Sequence, residues 1–282
     1  RQMEETDMNQ VMQLQAMNIA GYGGSTNRKQ QILDLIYNDV DFVFNAVQSR
    51  LEWLALKILS YPKLTLSKST NPGGIVTETT IDFQMPSTNK KAASVIWSAS
   101  ASTTKPITDI KAVVAAAKLL GKSFKYIVMD DAYFTYFALS AEVKNYVYYG
   151  AVADTSTIAK VPNLATINQM LAAERLPTII VVDTALVVEN DAGTQTSANP
   201  WNTGYVTFIP DLKVGETLVG PNAERQFPPK HVTQAERDRV LISKWSEVNP
   251  VKEHTKGEIN AFPSWTRVDD CFSLKVSATS WS

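Results

Sequence analysis

The strongest constraint lies near the start of the sequence. Ile32, Ile36, Val40, Val43, Val47, Leu51, Leu54 and Ile58 follow one another at steps of three or four residues. Apolar side chains at that spacing fall on one stripe of an α-helix. Neither Gly nor Pro interrupts the stripe before Pro62. The spacing predicts a helix that would reach about 40 Å unbroken at the usual rise per residue, with Asn38-Asp39 the place for a kink or restart. Such a helix has an apolar face that must lie against something. Ahead of it, residues 1–20 are Met- and Gln-rich with weak helical spacing, and Gly21-Tyr22-Gly23-Gly24 then breaks the chain. The opening Arg1 is compatible with a processed start and equally with a trimmed end.

After Pro62 the period changes to two. Leu64 and Leu66 alternate with polar residues before a turn at Asn71-Pro72-Gly73-Gly74. Beyond it Ile75, Thr77, Thr79, Ile81, Phe83 and Met85 alternate with Val76, Glu78, Thr80, Asp82 and Gln84. This predicts a β-hairpin with β-branched arms of roughly 25–30 Å. A two-stranded hairpin is marginal in water, so its apolar side needs a partner surface. From the residues alone, the hairpin's own domain is the first choice for that partner.

Small polar residues at 98–105 read as a linker. A helix follows, with Pro106 near its start, Thr104 or Thr108 as cap, and Gly121 as its stop. Tyr126-Ile127-Val128-Met129 reads as a buried strand, and Asp130 or Asp131 caps a short helix from Ala132 to about Leu139. Later elements are a helix from Leu164 to Ala173, strands at 178–182 and 205–209, and strands around 240–245 and 271–276. The polar stretch from Glu189 to Gly204 reads as a long loop.

Composition excludes several classes. With net charge −1 among 27 basic and 28 acidic residues, the chain has no basic excess for reading nucleic acid through its phosphates. Cys271 stands alone, so no intrachain disulfide forms, which suits a reducing cytoplasm. The most apolar run, Leu176 to Val188, is broken by Asp183 and is too short to span a bilayer.

Signs of catalysis are equally weak. Gly121-Lys122-Ser123 imitates the end of a phosphate loop, but Ala116 stands where that motif needs Gly, and the triplet follows a helix instead of opening one. Gly21 to Gly24 lacks the strand that a dinucleotide fingerprint requires. Asp130-Asp131 and Asp269-Asp270 are paired carboxylates in sequence, but caps and turns explain them better than acid–base work. His231 and His254 have no partner at zinc-site spacing, and no Gly-x-Ser-x-Gly elbow occurs. Trp53, Trp97, Trp245 and Trp265 read as core or interface residues, because no basic surround favours base stacking.

The order of elements resembles the Hong Kong 97 capsid fold, and within it the lambda-type major capsid protein E family. The phrases that carry this are Trp97 with Pro106-Ile107-Thr108-Asp109-Ile110, Gly121, and Tyr126-Ile127-Val128-Met129-Asp130. Further on they are Gly204-Tyr205-Val206-Thr207-Phe208-Ile209-Pro210, Asn249-Pro250-Val251, Phe262-Pro263-Ser264, and Val268 to Val276. The likeness runs from about residue 40 to the end. It implies an α+β fold in five stretches: an N-terminal arm (1–61), an extended hairpin or E-loop (62–97), a peripheral domain with a spine helix at 107–120 (98–162), an axial domain (163–235), and returning peripheral strands (236–282).

The resemblance also implies what the hairpin lies against: the body of a neighbouring subunit, with Asn71, Pro72, Gly73, Gly74, Ile75, Ile81 and Phe83 as subunit contacts. The implied function is assembly into hexamers and pentamers of an icosahedral shell around phage double-stranded DNA. The implied partners are copies of the chain, portal and scaffold proteins, decoration proteins, and DNA held without sequence readout. No membrane, cofactor, metal or catalytic residue is implied. The place is the virion capsid, assembled in the bacterial host cytoplasm. Some relatives cross-link a hairpin Lys to a neighbour's Asn, for which Lys63 and Lys68 are available. The competing readings are an encapsulin-like compartment shell, a tail-tube-type assembly protein, and a small α/β hydrolase built on Asp130 or Asp131, or on His254, Asp269 and a Ser.

Overall fold

The computed structural model describes residues 2–3, 25–67, 78–148, 160–189, 194–249 and 251–281. In chain order, β1 (Gln2–Met3) and α1 (Ser25–Ser60) precede β2 (Lys63–Leu66), β3 (Thr79–Asp82) and β4 (Lys90–Ala92). Then come α2 (Pro106–Leu119), β5 (Tyr126–Asp130), α3 (Asp131–Leu139), α4 (Ala141–Tyr148) and α5 (Leu164–Ala173). The strands β6 (Thr178–Val182), β7 (Leu186–Glu189), β8 (Gln195–Ala198), β9 (Tyr205–Ile209) and β10 (Glu216–Val219) follow. A short helix α6 (Ala223–Gln226) leads to β11 (Thr233–Arg237), β12 (Val240–Val248), β13 (Val251–Glu258), β14 (Ala261–Ser264) and β15 (Phe272–Lys275).

The chain forms two compact units, Arg1–Glu52 with Thr217–Phe262, and Trp53–Glu216 with Pro263–Ser282. These cuts differ from the five consecutive stretches above. The stretch 163–235 is divided after Glu216, and 236–282 after Phe262. The physical reason is strand pairing: β9 and β15 come from different stretches yet share one sheet.

In the first unit β1, β13, β12 and β11 form an antiparallel sheet in that order. The α1 seam supplies its cover. Val43 packs with Val240 and Ile242, and Val40, Phe44, Val47 and Ile259 close around them. The helix passes through Asn38-Asp39 without ending, and Asp39 is buried, so the expected restart does not occur. The approach of helix to sheet is close at Gly257, where an added Cβ would stand 2.9 Å from the Val43 carbonyl oxygen and 3.2 Å from its Cβ. Arg237 fixes the same contact by pairing with Asp41 and lying 4.3 Å from the centre of the Phe44 ring. Gly257→Val is therefore expected to cost about 1–3 kcal/mol, the usual penalty of overpacking. Urea unfolding checks this, with Gly257→Ala intermediate between wild type and the valine variant.

In the second unit the sheet order is β4-β15-β9-β5-β6. β5 and β6 are parallel, as are β15 and β4, and β9 runs antiparallel between β15 and β5. Ile127, Val206, Phe208, Phe272 and Leu274 of the sheet meet Ile107, Ile110, Phe137, Ile167 and Leu171 of the helices in one core.

The helix α2 shows how local signals and tertiary contacts divide the work. It starts at Pro106 and ends one residue before the expected bound. Gly121, at φ +70, lets the Lys122 amide donate to the Ala117 carbonyl and its own amide donate to the Lys118 carbonyl, a Schellman stop. Its N-terminus is capped differently from the expectation. Neither Thr104 nor Thr108 serves; the Glu142 carboxylate on α4 accepts from the Ile107 amide at 2.7 Å and the Thr108 amide at 3.2 Å. A carboxylate there offsets the positive end of the helix. The stretch read as a linker is exposed except at Thr104, which is buried, and it is held at one point, where the Ala101 carbonyl accepts from the Ala141 amide.

Candidate assembly surface

The hairpin begins where α1 ends. Its register pairs Lys63 with Asp82, Leu64 with Ile81, Thr65 with Thr80 and Leu66 with Thr79. Lys63 and Asp82 form an ion pair at 3.2 Å, and the Thr65 and Thr80 hydroxyls lie 3.0 Å apart. The polar side of this ladder is exposed, as alternation requires. On the other side Leu64 is buried and Ile81 is half-buried opposite it.

The second arm stops sooner than its alternation predicts. The Asp82 carboxylate accepts from the Gln84 amide at 2.8 Å, and Gln84 takes a φ of +54. That turn ends the strand and sends Met85 into the interior, where it is fully covered. Phe83 faces Trp265 of its own unit at 6.5 Å between ring centres. Of the seven contact candidates, Ile81 and Phe83 are thus placed, both half-buried against their own subunit. Asn71, Pro72, Gly73, Gly74 and Ile75 lie outside the described residues, as does Lys68.

Behind the hairpin the chain is fastened to the helix core. The Asp109 carboxylate on α2 accepts from the Trp97 indole N–H and from the Ser94 amide, each at 3.0 Å. Trp97 is 1% exposed and packs edge-tilted on Phe137. Asn89 donates to the carbonyls of Asp269 and Cys271, which sets β4 beside β15. The end of α1 is tied down as well: Thr207 donates to the Leu59 carbonyl, and Tyr61, Tyr205 and Trp281 form an aromatic cluster. Trp201 and Trp281 were not singled out by the sequence, because isolated tryptophans carry no period.

Several residues that imitate catalytic motifs have structural partners. Lys122 donates to the Asp269 carbonyl and lies over the Phe272 ring. Asp270 pairs with Arg267 at 3.2 Å on a short turn, and the Asp269 side chain is exposed. His254 stacks on Trp245 at 5.1 Å between ring centres and reaches Glu247 at 3.4 Å; His231 is exposed. Burial pushes the Cys271 thiol up to about 11, which leaves little thiolate at neutral pH. Asp130 is buried at the end of β5 while Asp131 is exposed. Among the described residues no cluster of three or more His, Cys, Asp or Glu is arranged to hold a metal, and no helix is long and apolar enough to cross a membrane.

The described surface carries apolar side chains that periodicity did not single out as exposed. Leu119 at the end of α2 is 89% exposed, Val248 at the tip of the β12–β13 ribbon 88%, and Phe227 80%.

Comparison with known proteins supplies the family. The model of the phage major capsid protein E family matches residues 1–276. No curated protein matches the sequence. Among solved structures, one described as a prophage capsid protein of Escherichia coli CFT073 superposes with a TM-score of 0.54 at 14% identity, covering 89% of this chain and 69% of its own. A phage-related protein of Bordetella bronchiseptica gives 0.49 at 11% identity, over 87% and 68% of the two chains. The first likeness establishes the mixed α+β fold of a phage capsid protein. The family match decides the rest: this chain belongs to the phage major capsid protein E family and serves as a structural protein of the capsid.

Proposed function

We propose that copies of this chain associate into hexamers and pentamers, and that these close an icosahedral shell around phage double-stranded DNA in the cytoplasm of the bacterial host. Family membership implies self-assembly into the capsid. The observation that carries the finer reading is the hairpin, whose arms are anchored through Leu64, Ile81 and Phe83 while their polar side faces outward.

In this reading residues 62–97 act as the E-loop, and Asn71, Pro72, Gly73, Gly74 and Ile75, with the remaining exposed edges of Ile81 and Phe83, touch the next subunit. The other stretches keep their proposed roles: 1–61 as arm, 107–120 as spine helix of the peripheral domain, 163–235 as axial domain, and 236–282 as returning strands. Each interface can be weak, because a subunit touches several neighbours and the contacts act together. A net charge of −1 keeps repulsion between copies low. Portal, scaffold and decoration proteins are the proposed partners, and DNA is held without sequence readout.

Negative-stain electron microscopy of the chain expressed with its scaffold tests this reading. Closed shells of uniform diameter are expected. Tubes, stacked rings, or monomers that persist in the presence of scaffold overturn it.

A further inference from the structure

Asp130 ends β5 and begins the turn into α3, and it is 1% exposed. It stands at the cap position of that helix yet makes no side-chain cap bond. Neither carboxyl oxygen has a hydrogen bond of ordinary geometry among the described residues. Among the described residues the charge that acts on it is a like one, on Asp131.

Its surroundings are hydroxyl groups. Thr203 approaches from the turn before β9. The buried phenol of Tyr133 on α3 stands beside it and reaches the hydroxyls of Ser98 and Ser277. Ser277 and the Val276 amide both donate to the Gly204 carbonyl, at 3.5 and 2.9 Å. Gly204 takes a φ of +91, and a Cβ on it would stand 2.7 Å from the Ser277 hydroxyl. One corner of the second unit is therefore closed by the start of α3, the turn at 203–204, residue 98, and the segment after β15.

A carboxylate stripped of water without a cation or good donors is unstable in its charged form. A neutral carboxyl instead brings one O–H donor to the hydroxyl of Thr203 beside it. We propose that Asp130 is carried as the neutral acid in the folded subunit and that its proton holds the start of α3 and the 203–204 turn together, so that a rise in pH loosens this corner.

Several charges and dipoles bear on that proton. Burial pushes the Asp130 carboxyl above the ordinary carboxylate range and Asp131 adds to this, while the Thr203 hydroxyl and the amides of Asp130 and Tyr133 offset it in part. Burial also pushes the Tyr133 phenol up, so it stays a donor while Asp130 titrates. Among the described residues the titratable groups facing the corner are Asp131, Tyr133 and Tyr136, all of α3; the other elements approach with Ser98, Thr203 and Ser277, which do not titrate. The folded state binds the proton more tightly than the unfolded chain. Its contribution is complete below about pH 3.9, the unfolded value, and is lost as pH rises through the raised folded value.

Thermal unfolding of the full chain, wild type against Asp130→Asn, from about pH 4 to pH 9 tests the lock. The two melting temperatures are expected to coincide at the acid end and to separate as pH rises, with the variant higher by a few degrees. Parallel curves, or a variant that melts lower throughout, overturn the proposal. If the variant fails to fold, the infrared spectrum of the wild type decides. A protonated-carboxyl stretch that persists above the pH at which aspartates of the unfolded chain ionise, and vanishes as pH rises further, supports the lock; its loss at that ordinary pH overturns it.

Discussion

Replacing Trp97 with alanine is expected to cost the second unit about 3–5 kcal/mol, the range for deleting a fully buried aromatic side chain. Two losses act together. The indole packs on Phe137 in the core, and its removal leaves a cavity there. Its N–H also serves one oxygen of the buried Asp109 carboxylate, the other being held by the Ser94 amide. A buried charge left half satisfied adds a penalty of about 1–3 kcal/mol. Trp97→Phe separates the two, because it keeps most of the ring and removes only the donor. Urea denaturation followed by near-ultraviolet circular dichroism is expected to rank wild type above phenylalanine, and phenylalanine above alanine. An alanine variant within about 1 kcal/mol of wild type would show that Trp97 does not anchor the core.

The second large effect is expected on assembly and not on folding. Replacing residues 68–77 by Asn-Gly would join Ser67 to Glu78 through a two-residue turn that suits the paired strands β2 and β3. The anchoring contacts of Leu64, Ile81 and Phe83 remain. The subunit should keep its melting temperature to within a few degrees and yield no closed particles when expressed with scaffold. Shells at the wild-type yield would remove the hairpin tip from the list of contacts between copies. A fall in melting temperature equal to that of a core variant would mean instead that the hairpin chiefly supports its own subunit.

The sequence made some elements plain for a simple reason. Where one face of an element packs on one surface, the period appears in the residues. The α1 seam and α5 have that property; β5 and β9, buried along almost their whole length, show a run of apolar residues instead, and each element occurs where its pattern predicts. The hairpin ladder does too, but its far end does not. Ile81, Phe83 and Met85 keep the alternation on paper, while Asp82 bonds the Gln84 amide and bends the chain before Met85. A local side-chain bond overrode a period of two.

Elements fastened by polar pairs left weaker traces. The stretch 251–258 carries several charges and no apolar alternation, and β13 forms there. Lys252 faces Glu247 across the ladder and Glu253 pairs with Lys244 at 3.0 Å, so cross-strand charges take the place of apolar alternation. The polar stretch 189–204 hides β8, paired with β7 in a small ribbon. The helix α4, which holds the cap for α2, lies between stretches whose patterns were clearer.

The sequence by itself determined the helix seam, the hairpin ladder, the Gly121 stop, the lack of a basic face, and an order of elements shared with phage capsid proteins. All of these are local patterns or their succession, and local patterns are set by residues near one another in the chain. Only the tertiary structure decided that Glu142 caps α2 from 35 residues away, that β9 lies between β5 and β15, and that Asp130 is enclosed beside a like charge. Those facts depend on which distant segments share a core. Sequence spacing does not encode that choice, because any of several apolar strands could have filled the same place in the sheet.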